Sequence, residues 1–179
     1  MSEKLHDCIY LTAAEFTLLS ASSGLGRIFG LFNREVESFS EEAFCEAMVS
    51  LYARGLLQTA QQAEEKAFQA DEKISGLFGD IRKTDLVAVF LRPDQETPDL
   101  LGYIADTTVA AQVSSADRNT VRLFSMPFED FFEWLKEERY LPENIAPAVF
   151  MKELEAAAKD KGVEVKRIDP DRYICTGIE

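Results

Sequence analysis

Histidine and cysteine, which carry much of the metal and nucleophilic chemistry of proteins, are scarce in this chain of 179 residues. The single histidine is His6, and its place among the first few residues favours neither a catalytic nor a ligand role. The three cysteines, Cys8, Cys45 and Cys175, are isolated, odd in number and without CxxC spacing. This pattern argues against a zinc site or a disulfide framework and favours reduced thiols in a cytosol. We expect Cys45, beside Phe44, to be a small buried hydrophobic side chain.

Basic residues and long apolar segments are also lacking. The chain has 19 Lys and Arg against 32 Asp and Glu, a net charge of −13. Such a surplus repels phosphate backbones and anionic lipid, so nucleic acid is an unfavourable partner. No stretch approaches the roughly 20 apolar residues of a membrane span, and residues 1–7 lack the apolar run of a signal peptide. We therefore expect a cytoplasmic protein without membrane contact, whose partner is neutral or basic where it binds.

The familiar catalytic motifs are missing too. The sequence contains neither GxSxG nor HExxH, and no Walker or Rossmann glycine pattern. Gly24-Leu25-Gly26 is better interpreted as a helix end and turn, because the apolar residues 28–32 do not resemble the helix that a phosphate loop needs. The carboxylates between residues 129 and 138 are typical of the solvated face of an amphipathic helix. We predict a non-enzymatic protein with no catalytic residue, cofactor or metal site; a carboxylate-only active site is the least favoured alternative.

The first half of the chain carries clear helix signals. Thr12 and Glu15 have the spacing of a capping box before a first helix. A second helix begins near residue 38 or 40 and ends at Gly55, and a third begins at Asp71. Apolar residues recur at i, i+3, i+4 and i+7 in both: Phe44, Ala47, Met48 and Leu51 in the second helix, and Ile74, Leu77, Phe78 and Ile81 in the third.

Extended segments dominate the second half. Four β-prone runs cover residues 86–91, 100–105, 107–113 and 120–124, and their short links imply an antiparallel meander that helices must cover. Pro127 and Pro147 mark the starts of two further helices, and a hairpin of residues 163–168 and 173–176 closes the chain. We predict a single α+β domain over residues 1–179. Residues 1–84, helical with a small hairpin, and 85–179, an antiparallel sheet with two helices and the closing hairpin, are its alternative subdomains.

The order of elements in the first 71 residues also fits a winged helix. A helix, a short strand, a helix ending at Gly55 and two strands joined by a polar loop follow one another. In a DNA-binding protein of this kind the second helix carries base- and phosphate-contacting side chains. Residues 41–54 instead offer Glu41, Glu42 and Glu46 against a single Arg54. The winged-helix alternative is therefore a transcription-associated protein with weak or no DNA binding.

Two segments resemble a known family. "LTAAEFTLL" follows a short strand, and the later helix reads Ala47-Met-Val-Ser-Leu51-Tyr-Ala-Arg-Gly55-Leu-Leu57. The pair is similar to the opening of the EspG-type proteins, in which "LT-x-x-E-L" leads into a helix and "L-x-x-x-G-L" ends a later one. EspG-type proteins are cytosolic chaperones of mycobacterial type VII secretion that bind paired PE/PPE helices. The resemblance covers about residues 8–135 and implies an α+β cytosolic binding protein; this chain is shorter than the family's usual length.

One helix offers aromatic residues for a partner contact. Phe128, Phe131, Phe132 and Leu135 form an apolar stripe, and Trp134 lies about 100° from Leu135, at its edge. Aromatic residues at such an edge are enriched in interfaces, although core packing is their commoner place. Our hypothesis assigns Trp134 and Tyr140 to a protein partner or a homodimer contact. The predicted function is that of a non-catalytic protein-binding or adaptor protein, chaperone-like for a secreted helical partner.

Overall fold

The computed structural model describes residues 8–23, 39–59, 68–84, 86–96, 98–114, 116–117, 119–152 and 175–177. Four helices lie in these ranges: α1 (Ala13–Ser22), α2 (Glu41–Ala53), α3 (Glu72–Arg82) and α4 (Phe128–Glu137). The strands are β1 (Ile9–Thr12), β2 (Leu57–Thr59), β3 (Phe68–Ala70), β4 (Leu86–Phe90), β5 (Leu100–Ile104), β6 (Thr107–Val113), β7 (Thr120–Pro127) and β8 (Cys175–Gly177). Residues 147–152 are also helical.

Six of the described strands form one antiparallel sheet in the order β1-β7-β6-β5-β4-β8. Strands β4 to β7 are the meander that the short links of the sequence predict, since each pairs with the next along the chain. The first and last described strands add to its two sides, β1 to β7 and β8 to β4. A separate hairpin of β2 and β3 follows α2. The α+β fold class is thus confirmed.

Both faces of the sheet are covered. On one face Phe131 of α4 packs 5.9 Å from the ring of Phe90 and lies so near Gly102 that an added Cβ there would meet it at 3.0 Å. On the other face α1 and α3 contact the central strands, and their rings Phe16 and Phe78 lie 5.8 Å apart. All five residues of β5 are buried for this reason.

Local sequence explains where the helices begin. Glu15 N donates to Thr12 Oγ1 and Thr12 N donates to Glu15 Oε2, so the predicted capping box is formed. Ser40 caps α2 and Asp71 caps α3 through their side-chain oxygens. Pro127 precedes α4 as predicted. The four predicted core residues of α3 are all buried; on α2, Ala47 and Leu51 are buried, whereas Phe44 and Met48 are only half-buried.

Two helices end in the same way with different residues. After α2, Gly55 has φ 69°, and Leu56 N donates back to Leu51 O. After α4, Arg139 has φ 65°, and Tyr140 N donates back to Leu135 O. Both are Schellman turns, in which the left-handed residue suits glycine and strains any side chain. The predicted glycine ending of α2 is confirmed.

Several predictions fall outside the described residues. They concern His6, the turn at Gly24 and Gly26, the extended segment 27–32 that a winged helix requires, and the segment 163–168 of the closing hairpin. Residues 175–177 of that hairpin are described, and they pair with β4. In the part of the chain that the structure describes, no helix has the length and apolar character to cross a membrane.

Candidate partner-binding surface

Helix α2 carries two apolar stripes, and only one of them is buried. Its inner side packs Ala47 and Leu51 into the core. Cys45, Val49 and Tyr52 recur at i, i+4 and i+7, so they lie along one line on the outer side. Val49 is 69% exposed, Tyr52 is 45% exposed, and Cys45 is exposed as well. Helix α2 therefore presents an apolar stripe to solvent.

The β2–β3 hairpin extends this stripe. Phe68 of β3 is 44% exposed, and its ring meets that of Tyr52 edge-on, with 6.5 Å between centroids. The Tyr52 hydroxyl is hydrogen-bonded to that of Thr59 in β2, which ties the helix to the hairpin. We call Cys45, Val49, Tyr52 and Phe68 the α2–hairpin surface. Isolated exposed apolar residues are ordinary, but neighbouring ones are typical of a binding site.

Acidic residues border the α2–hairpin surface. Glu42 and Glu46 lie about 60° and 100° around the helix from Cys45, on the same side as Val49, and both are exposed. Glu41 is exposed at the start of the helix. The one basic residue of the helix end, Arg54, is turned to the opposite side and paired with Glu15. The apolar stripe thus lies in a negative field on its own helix.

A buried carboxylate holds α2 in place. Glu15, almost fully buried on α1, accepts hydrogen bonds from Ser50 Oγ at 2.6 Å and from Arg54 Nη1 at 3.2 Å. Arg54 Nη2 also donates to Tyr10 O at 2.6 Å. A buried carboxylate needs such partners, because losing its water is costly without them. The Glu15–Arg54 pair therefore helps to hold α2, and the surface it carries, against α1 and β1.

The same pair binds β1, which is an edge strand among those that the structure describes. Just after β1, Ala13 N donates to Asn119 O at the start of β7. In an antiparallel ladder every second residue bonds the neighbouring strand, and the residues between point their backbone N–H and C=O groups away from it. Tyr10 and Thr12 are such residues of β1. Arg54 bonds the carbonyl of Tyr10, and Glu15 bonds the amide of Thr12. Two outward-facing groups of the edge strand are thus satisfied by side chains.

The residues that sequence reasoning assigned to a partner contact are buried. Trp134 is 7% exposed and Tyr140 is 0% exposed. Trp134 meets the ring of Phe124 with 5.0 Å between centroids, and Tyr140 stacks on Trp134 at 5.8 Å. The Schellman turn at Arg139 folds Tyr140 back against its own helix. The surface location expected for Trp134 and Tyr140 is therefore wrong: both pack in the core in this conformation.

Tyr140 belongs to a buried polar cluster beneath α4. Its hydroxyl donates to Asp99 Oδ1 at 3.0 Å and accepts from Gln112 Nε2 at 2.9 Å. Asp99 Oδ2 pairs with Arg92 Nη2 at 3.0 Å, and the Arg92 guanidinium lies over the Tyr140 ring. Burial, together with the neighbouring Asp99 carboxylate, raises the pKa of Tyr140 above its ordinary value of 10. The cluster keeps a neutral phenol against a carboxylate and fastens α4 to the sheet.

Sequence reasoning also misplaced Cys45, which we expected to be buried. The structure exposes it, because the core takes the opposite side of α2, where Ala47 and Leu51 lie. A signal for the outer stripe was present in the sequence: Cys45, Val49 and Tyr52 repeat with helical spacing on a second side of the same helix. The inner stripe is the stronger of the two signals, because it has four apolar residues at helical spacing and the outer stripe has three.

The described residues contain no metal-binding cluster, and the comparisons with known proteins found no relative. Across the described ranges, no three His, Cys, Asp or Glu side chains are grouped to hold a metal ion. No protein-family model matches the sequence, and no curated protein or solved structure matches it. The residues themselves therefore carry the functional interpretation.

Proposed function

We propose that this protein is a non-catalytic binding domain that engages a protein partner through the α2–hairpin surface. The supporting observation is the exposure of Val49, Tyr52 and Phe68 next to one another on an anchored helix and hairpin. When a partner covers apolar groups that a fixed scaffold exposes to water, the complex is stabilised by roughly 25 cal/mol per Å² of apolar surface buried. The Glu15–Arg54 pair holds the scaffold in place before binding, which lowers the ordering cost of association.

Two more specific roles are proposed for such a binding domain. A chaperone-like role for a secreted helical partner, in the cytoplasm, follows from the EspG-type resemblance and agrees with an exposed apolar binding face. A winged-helix, transcription-associated role follows from the succession of α2, β2 and β3. The acidic border of α2 disfavours contact with DNA phosphates, so we place the protein-binding role first.

The test is capture of a partner from native lysate with the full chain and two matched variants. Val49→Lys places a charge in the middle of the stripe, and Val149→Lys places the same charge on the helical segment 147–152, where Val149 is 49% exposed. We expect Val49→Lys to lose the captured protein and Val149→Lys to retain it, with circular dichroism confirming that both fold. Equal capture by all three proteins would contradict the proposed surface.

A further inference from the structure

The charge around the α2–hairpin surface restricts what binds there. The stripe runs along a helix from Cys45 to Tyr52, a rise of about 10 Å. Another helix matches such a stripe, because its own apolar residues at i, i+3, i+4 and i+7 form a ridge of the same direction and spacing. The exposed Glu42 and Glu46 would then lie beside the flank of the incoming helix. Basic residues on that flank would oppose them favourably.

We propose that the α2–hairpin surface takes a basic amphipathic helix of another protein. This inference rests on the proposed function and adds the chemical class of the partner. Its apolar side would cover Val49, Tyr52 and Phe68, and Lys or Arg on its flank would face Glu42 and Glu46. The excess of 32 acidic over 19 basic residues acts in the same direction, since it speeds the encounter with a basic segment.

The same charges disfavour other occupants. A second copy of this chain brings a net charge of −13 to the contact and the same acidic helix, so like charges approach each other. Anionic lipid and nucleic acid are repelled for the same reason. An acidic or uncharged helix would gain only the apolar contact.

The experiment uses two synthetic helical peptides of about 18 residues, long enough to form a helix on binding. Both carry leucine at i, i+3, i+4 and i+7; one has lysine at the flanking positions and the other has glutamate. Binding to the full chain is measured by calorimetry at low and at high salt. We expect the lysine peptide to bind, to weaken as salt rises, and to bind at least about tenfold more tightly than the glutamate peptide.

Variants locate the binding and separate it from general attraction to an acidic protein. Glu42→Lys/Glu46→Lys and Glu129→Lys/Glu137→Lys change the net charge equally, and the second pair lies on exposed positions of α4. We expect the double substitution on α2 to weaken binding of the lysine peptide about tenfold, and the double substitution on α4 to change that binding by less than about twofold. Equal weakening by both pairs would mean non-specific charge attraction and would overturn the proposal.

Cys45 reports directly on the occupancy of the surface. In the free chain we expect Cys45 to react with a maleimide, as located by peptide mapping, and the lysine peptide to slow that reaction at least about fivefold. A Cys45 that is unreactive in the free chain would show that the surface is already covered by this chain or by a second copy, and sedimentation would tell which. Either result overturns the proposal.

Failure of the two proposals can be told apart. If neither peptide binds, or both bind equally, while Val49→Lys still loses the native partner and Val149→Lys does not, the basic-helix inference falls and the protein-binding function stands. If Val49→Lys leaves native capture unchanged, the proposed function itself falls.

Discussion

Two buried carboxylates in this protein are each paired with one arginine, and they serve different parts of the molecule. Glu15 joins β1, α1 and α2, and its partner Arg54 has a side chain that is 38% exposed. Asp99 lies before β5 beneath α4, and its partner Arg92 is 25% exposed. Asp99 also accepts from the buried phenol of Tyr140, whereas Glu15 accepts from backbone and hydroxyl donors near the helix starts and ends.

The difference shows how burial of the partners sets the role of an ion pair. If Glu15 is removed, Arg54 can regain water, but Ser50 and Arg54 lose the carboxylate that joins the end of α2 to α1. If Asp99 is removed, a tyrosine hydroxyl inside the core loses its acceptor and Arg92 loses its counter-charge. We therefore assign Asp99 mainly to stability and Glu15 mainly to the placement of the α2–hairpin surface.

The largest expected effect is that of Asp99→Ala. Removing one partner of a buried, hydrogen-bonded pair costs about 3–5 kcal/mol, and the partial exposure of Arg92 favours the lower end, about 3 kcal/mol. Urea unfolding measures this free energy. Asp94→Ala changes an exposed carboxylate of the same connection and serves as the control. A loss for Asp99→Ala no larger than for the control would refute its structural role.

Glu15→Ala should lower the free energy of unfolding by a smaller amount, about 2 kcal/mol. It combines a lost helix cap, worth about 1 kcal/mol, with a pair whose arginine is partly solvated. Hydrogen exchange of the Thr12 amide should become faster, because Glu15 is its acceptor. Glu42→Ala, on the exposed side of α2, should leave that amide unchanged. Should Glu15→Ala prove more damaging than Asp99→Ala, the contrast between the two sites would be reversed.

Alkaline pH probes the phenol side of the Asp99 cluster. The pKa of Tyr140 is raised in the folded protein, so the folded state keeps the proton while the unfolded chain ionises near pH 10. The contribution of the Tyr140 phenol to the free energy of unfolding is complete below about pH 10 and falls above it by about 1.4 kcal/mol per pH unit. Burial raises the pKa of Tyr103 as well, so this second phenol adds an equal loss.

Tyr140→Phe should therefore remove half of the slope that these two phenols give to stability against pH above pH 10, although it lowers stability at neutral pH by about 1–2 kcal/mol. The measurement is a series of urea unfolding curves between neutral and alkaline pH. Tyr10→Phe, at an exposed tyrosine, is the matched variant and should follow the wild-type slope. An unaltered slope for Tyr140→Phe would show that its phenol ionises equally in both states.

The smallest effect concerns the two helix ends. Arg139 occupies a left-handed position at a cost of about 1–2 kcal/mol, part of which is offset by the greater freedom of an unfolded glycine. We expect Arg139→Gly to raise stability by about 0.5 kcal/mol. Gly55→Ala should lower it by about 1 kcal/mol, from backbone strain alone, because nothing lies within 4 Å of the added Cβ. Thermal melting resolves both, and equal signs for the two changes would be inconsistent with a shared turn geometry.

Local signals were sufficient for most of the fold. The spacing of Ile74, Leu77, Phe78 and Ile81 fixed the buried side of α3, and Gly55 marked a turn that only needs a left-handed residue. Arg139 could not be foreseen in the same role, since nothing in its chemistry favours that conformation; the turn at Arg139 is the one that brings Tyr140 into the core. Local sequence patterns act over a few residues, so they predicted the features that span a few residues, such as a helix face and a helix end.

Tertiary packing decided the rest. Arg92 and Asp99 share the connection before β5, whereas Gln112 and Tyr140 come from β6 and from the end of α4. These three parts of the chain meet only because β5, β6 and the end of α4 are neighbours. The burial of Trp134 likewise depends on α4 folding back onto β7, where its ring meets that of Phe124. The α2–hairpin surface depends on which of two apolar stripes the core takes, and a helical wheel shows both stripes without ranking them.

The attachment of Arg54 and Glu15 to β1 has a further consequence for how copies of the protein meet. An edge strand with unbonded amides and carbonyls is a template on which another chain can add a strand. Here the carbonyl of Tyr10 and the amide of Thr12 are already engaged by an ion pair from two helices. Among the described strands β1 lies at one edge of the sheet, and the pair leaves fewer of its backbone groups open to a strand of another chain. We therefore expect loss of the pair to increase self-association even where the fold survives.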